Sequence, residues 1–509
     1  MELNIIDILI FFLFFGITIG TSLYKSRGEE TSEDFFLASR GLVWPLIGLS
    51  LISANISTEH FVGMSGQAAS IGMAVASYEW IASITLVLVA LFFLPKFLRS
   101  GIFTIPEFLE YRYNVTARGI MSFYLLVIYV GVSISAVVYT GGLTLNTIFN
   151  INLTQSIWLI GILAATYTTW GGLKAVAWAD LFQGSALIIG GLITMIIGFA
   201  AVGGVDSFLK INADKLHMVL PGDHPIFPWT ALVIGIWIPN FYYWGLNQFI
   251  TQRTLGAKTL KQGQLGILFA AFIKLIIPFI IVFPGIMAAQ LYKNQLTTND
   301  AAYPLLIKNL VPLGLRGLMF AAITGAVMGT LASMLNSAST LVTMDLYKRH
   351  WKKDASSQKL VKIGRFVTIV FVFVVCLIAP HLGNPKFQGI FNYIQEFHGY
   401  ITPGILSAFV FGMIFKRAPA VAGVAALIIT VPIYGILQWQ YSSIAFLNRM
   451  AITFVLIIIM MAIITMINPL SEPKVMPERG KVDLSPAPIV KWLGIVIIGL
   501  TVTLYIFFW

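Results

Sequence analysis

The sequence predicts an all-α polytopic membrane protein with about 14 transmembrane helices. Its core is read as a five-plus-five inverted repeat with two broken helices. Three observations carry this reading. Of 509 residues, 58% are hydrophobic and only 10% charged, against roughly 25% charged in a soluble domain. Apolar stretches near the roughly 20 residues that a spanning helix needs recur along the whole chain. Two of those stretches, at matching positions in two halves, are interrupted by proline, glycine and polar side chains.

The candidate spans lie near 4–24, 43–70, 72–98, 117–148, 155–176, 182–203, 229–251, 263–293, 315–346, 363–382, 397–415, 419–438, 445–467 and 489–509. The first has no basic leader and no small-residue cleavage site, so it reads as a retained span rather than a signal peptide. An even number of spans puts both termini on one side. With the termini outside, 24 of the 32 Lys and Arg fall in inner loops, among them Arg112, Arg118, Arg253 and the cluster from Lys348 to Arg365. That asymmetry supports a cell-membrane protein with both termini extracytoplasmic. It also explains the net charge of +11 without nucleic acid as a partner. The single cysteine, Cys376, excludes an intramolecular disulfide and any CxxC metal motif.

The first interrupted span contains "LSLISANISTEHFVGMSG", 49–66, and the second "IWIPNFYYWGLNQF", 236–249. Backbone leaves helical geometry at membrane depth only where it is buried in protein or lines a wet cavity. Kinks at Pro and Gly are common in membrane helices, but a matched pair of breaks is the sequence pointer to an inverted-repeat transporter. The organisation that follows is an extra span and cytoplasmic loop (1–42), a first repeat (43–203), an extracytoplasmic loop (204–228), a second repeat (229–415) and C-terminal extra spans (416–509).

Ionisable residues in mid-span are costly and therefore functional candidates. Glu79 and Lys274 are such residues, and each lowers the other's cost if they pair. A purely structural ion pair is the competing reading. A carboxylate accepts from hydroxyls and an ammonium donates to them, and Asn55, Asn240 and Gln395 do both. This is the chemistry of sugar recognition. His60 stands beside Asn55 and Glu59 and is read as a cavity residue, with Glu59 left unassigned. Tyr78, Tyr243, Trp244 and Phe391 offer flat rings, although aromatics in spans usually serve packing. A cation site needs several oxygens. Carbonyls at 53–56 and hydroxyls of "AITGAVMGTLASMLNSAST", 322–340, are candidates, while small residues there equally suit close helix packing.

The strings "SANISTEHFVGMSG", "ASYEW", "YTTWGGLKAVAWADLFQG", "NFYYWGLNQFITQRTL", "LASMLNSASTLVTMDLYK" and "YIQEFHGYITPGILSAF" resemble the sodium/glucose (galactose) branch of the sodium–solute symporter family, collinearly from about residue 5 to the last helix. The resemblance implies a LeuT-type fold, Na+ as coupling ion, no cofactor, and uptake of a monosaccharide. It implies sugar contacts at Asn55, His60, Glu79, Asn240, Lys274 and Gln395, and an inner aromatic gate at Tyr243 that stacks on the sugar. It further implies an outer gate of Met64, Tyr78 and Phe391, ion ligands from Ser53, Ile56 and Ala326, and an acidic residue on the ion route at Asp180. There are departures. Bacterial galactose symporters carry Gln where this chain has His60, and Ala82 stands where a serine can face the sugar. The adjacent serine pair of the ion site reads Gly329–Thr330, so one hydroxyl is missing and water or another carbonyl must replace it.

Runner-up readings keep the same fold with another solute, such as myo-inositol or sialic acid, or make it a sugar sensor or uniporter. A membrane enzyme finds no metal cluster, phosphate loop or nucleophile constellation in the sequence.

Overall fold

The computed structural model describes residues 5–25, 31–57, 59–149, 151–296, 299–383, 390–479 and 482–509. Among these the chain is helical almost throughout, with only isolated bridges such as Leu42 to Ala257 and no named strand. Among the described residues, ten helices are long and apolar enough to cross a membrane, or eleven if the bent pair Tyr393–Gly399 and Thr402–Ile414 is one span. The expected fourteen is not confirmed by that criterion. Three expected spans fall outside the count. Two are the interrupted ones, 43–70 and 229–251. The third, 155–176, is the N-terminal part of a longer helix rather than a span of its own. The expected break between 176 and 182 is not there: one helix runs Leu153–Ala201.

Burial separates the centre from the rim. In the helix Leu315–Trp351, 94% of the most apolar window is buried, against 22% in each of Ile5–Lys25 and Pro488–Phe507. Side chains such as Ile5, Leu9, Trp492 and Ile506 are exposed, as an apolar face against lipid requires. The helix Leu315–Thr340 packs most extensively on Leu153–Ala201, and Trp44–Asn55 packs on Leu260–Leu291. The second contact is close at Gly48, where an added Cβ would meet the Gly266 carbonyl at 2.8 Å and the Phe269 side chain at 2.6 Å. Small residues allow this approach, and it brings the end of one helix to the middle of the other.

Both interrupted spans are broken. The first helix, Trp44–Asn55, stops where Ile56 turns to extended backbone (φ −77°, ψ 103°), and helical turns resume at Glu59–Met64 and Ser65–Ile71. In the second, Trp237–Gly245 ends before Asn247 (φ −78°, ψ 122°), and Gln248–Leu255 continues. Pro239 does not cause that break, since it sits in the first turn, where a missing N–H is tolerated. A further bend of 46° separates Tyr393–Gly399 from Thr402–Ile414. Pro403 in the first turn of the second arm explains why the chain turns there rather than running straight through the expected span 397–415.

Candidate functional site

The breaks meet around a cavity of about 90 Å³. The first broken helix contributes Asn55, Ser57, Glu59, His60 and Met64, and the next helix Tyr78 and Glu79. The second broken helix contributes Asn240, Tyr243 and Trp244, and the bent pair Gln395 and His398. Residues far apart in sequence thus face one space because each lies at a point where helical geometry fails or two helices touch.

The polar side chains form one network. Lys274 Nζ donates to Asn55 Oδ1 and to Glu79 Oε2. Asn55 Nδ2 in turn donates to the Tyr243 hydroxyl at 3.0 Å. His60 Nε2 lies 3.4 Å from Glu79 Oε1, and Lys274 Nζ sits 4.9 Å from the Trp244 ring centroid, within cation–π reach. Lys274 itself is 0% exposed, so its charge is compensated within the protein. Asn240 Nδ2 is turned back onto the Ile236 carbonyl at 3.0 Å. Glu59 Oε1 has no hydrogen-bond partner. Tyr78 lies against Phe227, with ring centroids 5.7 Å apart. The side chain of Phe391 lies outside the described residues.

The cavity is small for a sugar. An apolar cavity of roughly 150 Å³ holds benzene, and a hexose is larger. In this form Lys274, Asn55, Glu79 and Tyr243 bond to one another, so a polar solute binding among them would have to exchange those bonds for its own.

The candidate ion ligands lie behind this network. Ser53 and Ile56 flank the end of the first broken helix, where helix termini leave carbonyls unpaired. Ala326, Gly329 and Thr330 sit on the buried helix Leu315–Thr340, and the Thr330 hydroxyl donates to the Ala54 carbonyl at 3.1 Å. Ser53 Oγ and Asp180 Oδ1 are buried and neither makes a well-formed hydrogen bond. An acceptor-rich pocket with unsatisfied oxygens fits a small hard cation. The expectation that water or a carbonyl fills the gap at Gly329 meets a different arrangement. A Cβ there would lie 2.5 Å from Gln183 Oε1 and 2.7 Å from Asp180 Oδ1, so side chains already occupy the space.

Asp180 is also an anchor. Its Oδ2 accepts from Ser50 Oγ at 2.6 Å and from Arg253 Nη2 at 3.0 Å. Arg253 Nε donates to Ser50 Oγ at 2.6 Å, and the guanidinium reaches Ser333 Oγ and the Phe249 carbonyl. Arg253 is 0% exposed, which corrects its assignment to an inner loop. Arg112 and Arg118 are likewise buried, at 3% and 6% exposure. Sequence reasoning missed Arg253, Gln183, Ser133 and His398. Of these, Arg253 carried a signal, as the one charged residue in "NFYYWGLNQFITQRTL".

Comparison with known proteins agrees with this architecture. The chain is 39% identical over 501 residues to the sodium/glucose cotransporter of Vibrio parahaemolyticus, covering 92% of each chain. It is 32% identical over 455 residues to the sodium/myo-inositol cotransporter 2 of Oryctolagus cuniculus, covering 82% of this chain and 67% of that one. Its fold matches the substrate-bound outward-open state of a Na+-coupled sialic acid symporter with a TM-score of 0.83 at 23% identity, covering 93% of this chain and 100% of that one. The profile of the sodium:solute symporter family matches residues 35–430, and the chain belongs to that family.

Proposed function

We propose that the chain is a secondary symporter that couples Na+ entry to import of a neutral monosaccharide, such as glucose or galactose, by alternating access. The observation that carries the reading is the cluster of Asn55, Glu79 and His60 lining a cavity at two helix breaks, with the buried Lys274 bonded to Asn55 and Glu79 behind it. Asn55, His60, Glu79, Asn240, Lys274 and Gln395 hold the sugar hydroxyls. Tyr243 is the inner aromatic gate, and Met64, Tyr78 and Phe391 form the outer one.

The cation is held at Ser53, Ile56, Ala326 and Thr330, beside Gly329, and leaves past Asp180. Coupling follows from chain connectivity. Ser53 and Asn55 share the last turn of one helix, so an ion that fixes the break also places a sugar ligand. Residues 43–203 and 229–415 are the inverted repeats, flanked by 1–42, the loop 204–228 and 416–509. The protein lies in the cell membrane with both termini extracytoplasmic.

The charges around the cavity favour a neutral solute over sialic acid. Lys274 is engaged by Glu79 and Asn55, and Glu59 adds a second carboxylate to the lining. Among the described residues, a carboxylate-bearing sugar would meet these groups without a free cation in the lining. The test is uptake into proteoliposomes of galactose, glucose, myo-inositol and sialic acid under Na+, Li+, K+ and H+ gradients. Na+-driven accumulation of a hexose is expected. Accumulation driven by H+ alone would reassign the ion. Binding without accumulation under any gradient would make the protein a sensor or uniporter.

A further inference from the structure

We propose that Gln183 is a ligand of the coupling ion in this chain, its amide oxygen taking the place of the side-chain oxygen that Gly329 lacks; this rests on the Na+ reading above. Gly325 and Gly329 stand one helical turn apart on the helix Leu315–Thr340, and together they leave a groove on the face turned to Leu153–Ala201. Gln183 lies along that groove. A Cβ at Gly325 would meet Gln183 Cγ at 2.9 Å, and one at Gly329 would meet Oε1 at 2.5 Å. The same point at Gly329 is 2.7 Å from Asp180 Oδ1. A carboxylate oxygen and an amide oxygen therefore converge on one spot.

Neither oxygen makes a well-formed hydrogen bond, and both residues are buried, Asp180 at 0% and Gln183 at 2% exposure. Buried acceptors are normally satisfied, and two that face each other repel unless something positive lies between them. Ser53, whose hydroxyl is within reach of the Asp180 carboxylate, packs on Gly184, where a Cβ would lie 3.1 Å from Ser53 Cβ. Thr330, next to Gly329, reaches the Ala54 carbonyl at 3.1 Å. Gln183, Asp180, Ser53 and Thr330 thus present oxygens from three helices to one region. The missing side chain at Gly329 is the condition for this, because any side chain there would displace Gln183. An amide turned the other way, with its NH2 donating to Asp180, would instead make Gln183 a structural partner. The two arrangements respond oppositely to substitution.

The experiment is equilibrium binding of 22Na+ to purified protein in detergent without sugar, with thermal melts in K+ buffer to report folding. Q183A should raise the Na+ dissociation constant at least roughly tenfold, while Q183E, which keeps the oxygen, should bind Na+ as well as wild type or better. G329S alone should weaken binding, because its side chain meets Gln183 and Asp180. Q183A/G329S should recover toward wild type, a coupling that only neighbouring residues show. A folded Q183A protein with an unchanged Na+ constant overturns the proposal and leaves the symporter reading intact. Loss of Na+ binding in folded Q183E also overturns it, and decides the matter should Q183A fail to fold. Wild-type protein that binds no Na+ overturns the coupling reading and this proposal together.

Discussion

Lys274 and Glu79 form a fully internal ion pair, with side chains 0% and 4% exposed, and the same ammonium also donates to Asn55. An intact buried pair adds little net stability, but removing one partner strands a charge at a cost of about 3–5 kcal/mol. The pair is read as serving sugar recognition, so Glu79→Gln should lower sugar affinity by roughly ten- to a hundredfold, the loss of a charged hydrogen bond worth about 1.5–3 kcal/mol. Glu79→Gln combined with Lys274→Met should melt higher than either single variant, because no charge is left alone. Sugar titrations followed by tryptophan fluorescence and thermal melts check both. An unchanged sugar affinity in a folded Glu79→Gln protein would remove Glu79 from the site.

Arg253 joins three helices and a backbone carbonyl through one guanidinium. Lysine cannot reproduce that fork. Arg253→Lys should therefore lower the melting temperature, and Arg253→Met should lower it further, by an amount equivalent to about 3–5 kcal/mol, since Asp180 keeps an uncompensated charge. Arg253→Met with Asp180→Asn should recover part of the loss. Melting curves in detergent, without sugar, decide it. Equal stability of Arg253→Met and wild type would contradict the anchor role.

The fold was legible because its cause is one-dimensional. Apolar length gives spanning helices, and polar or glycine residues inside such a length mark where helices break. Asn55 and Asn240 were singled out this way, and Glu79 and Lys274 by the cost of charge in lipid. Other features depend on three-dimensional partners. Arg253 looked like a loop cation because nothing in its neighbours announces Asp180, which is 73 residues away. The role of Gln183 depends on an absence at Gly329, and an absent side chain is visible only once the opposing helix is placed. The bend between Gly399 and Thr402 had signals in Gly399, Pro403 and Gly404, which a reading of apolar length alone passes over. The fourteen-span count assumed that each apolar length is one straight helix, which the merged and broken segments do not satisfy.

At the end of the helix Ile105–Arg112, outside the spans, Glu110 accepts from Arg118 at 2.8 Å and from Arg349 at 2.6 Å. Burial pushes its carboxyl up, but the hydrogen bonds from Arg349 and Arg118 outweigh this and hold the group below its usual range. A depressed folded value means the stabilisation is fully present above the ordinary glutamate value of about 4.3, and is lost as pH falls through the lower folded value. The melting temperature should therefore drop on acidification below that point. Glu110→Gln should flatten this acid limb while lowering the plateau at neutral pH. Melts across the acid range check it, and an acid limb unchanged in Glu110→Gln would assign it to other carboxylates.

At Thr330, ion binding and ion coupling can be separated. Its hydroxyl donates to the Ala54 carbonyl and keeps lone pairs for a cation. Thr330→Ala removes one oxygen from the ion's surroundings, so the Na+ constant should rise, while Thr330→Ser, which keeps the hydroxyl, should stay near wild type. Sugar affinity must follow, because Na+ strengthens sugar binding by the same factor that sugar strengthens Na+ binding. Titrating sugar at increasing Na+ reads the two effects apart. If Thr330 only ligates the ion, the Thr330→Ala curve of sugar affinity moves to higher Na+ but reaches the wild-type plateau. If the bond to Ala54 also transmits the state of the helix break to Asn55, the plateau itself falls, because ion occupancy then no longer places the sugar ligand. A curve that coincides with wild type at every Na+ concentration would take Thr330 out of the ion site.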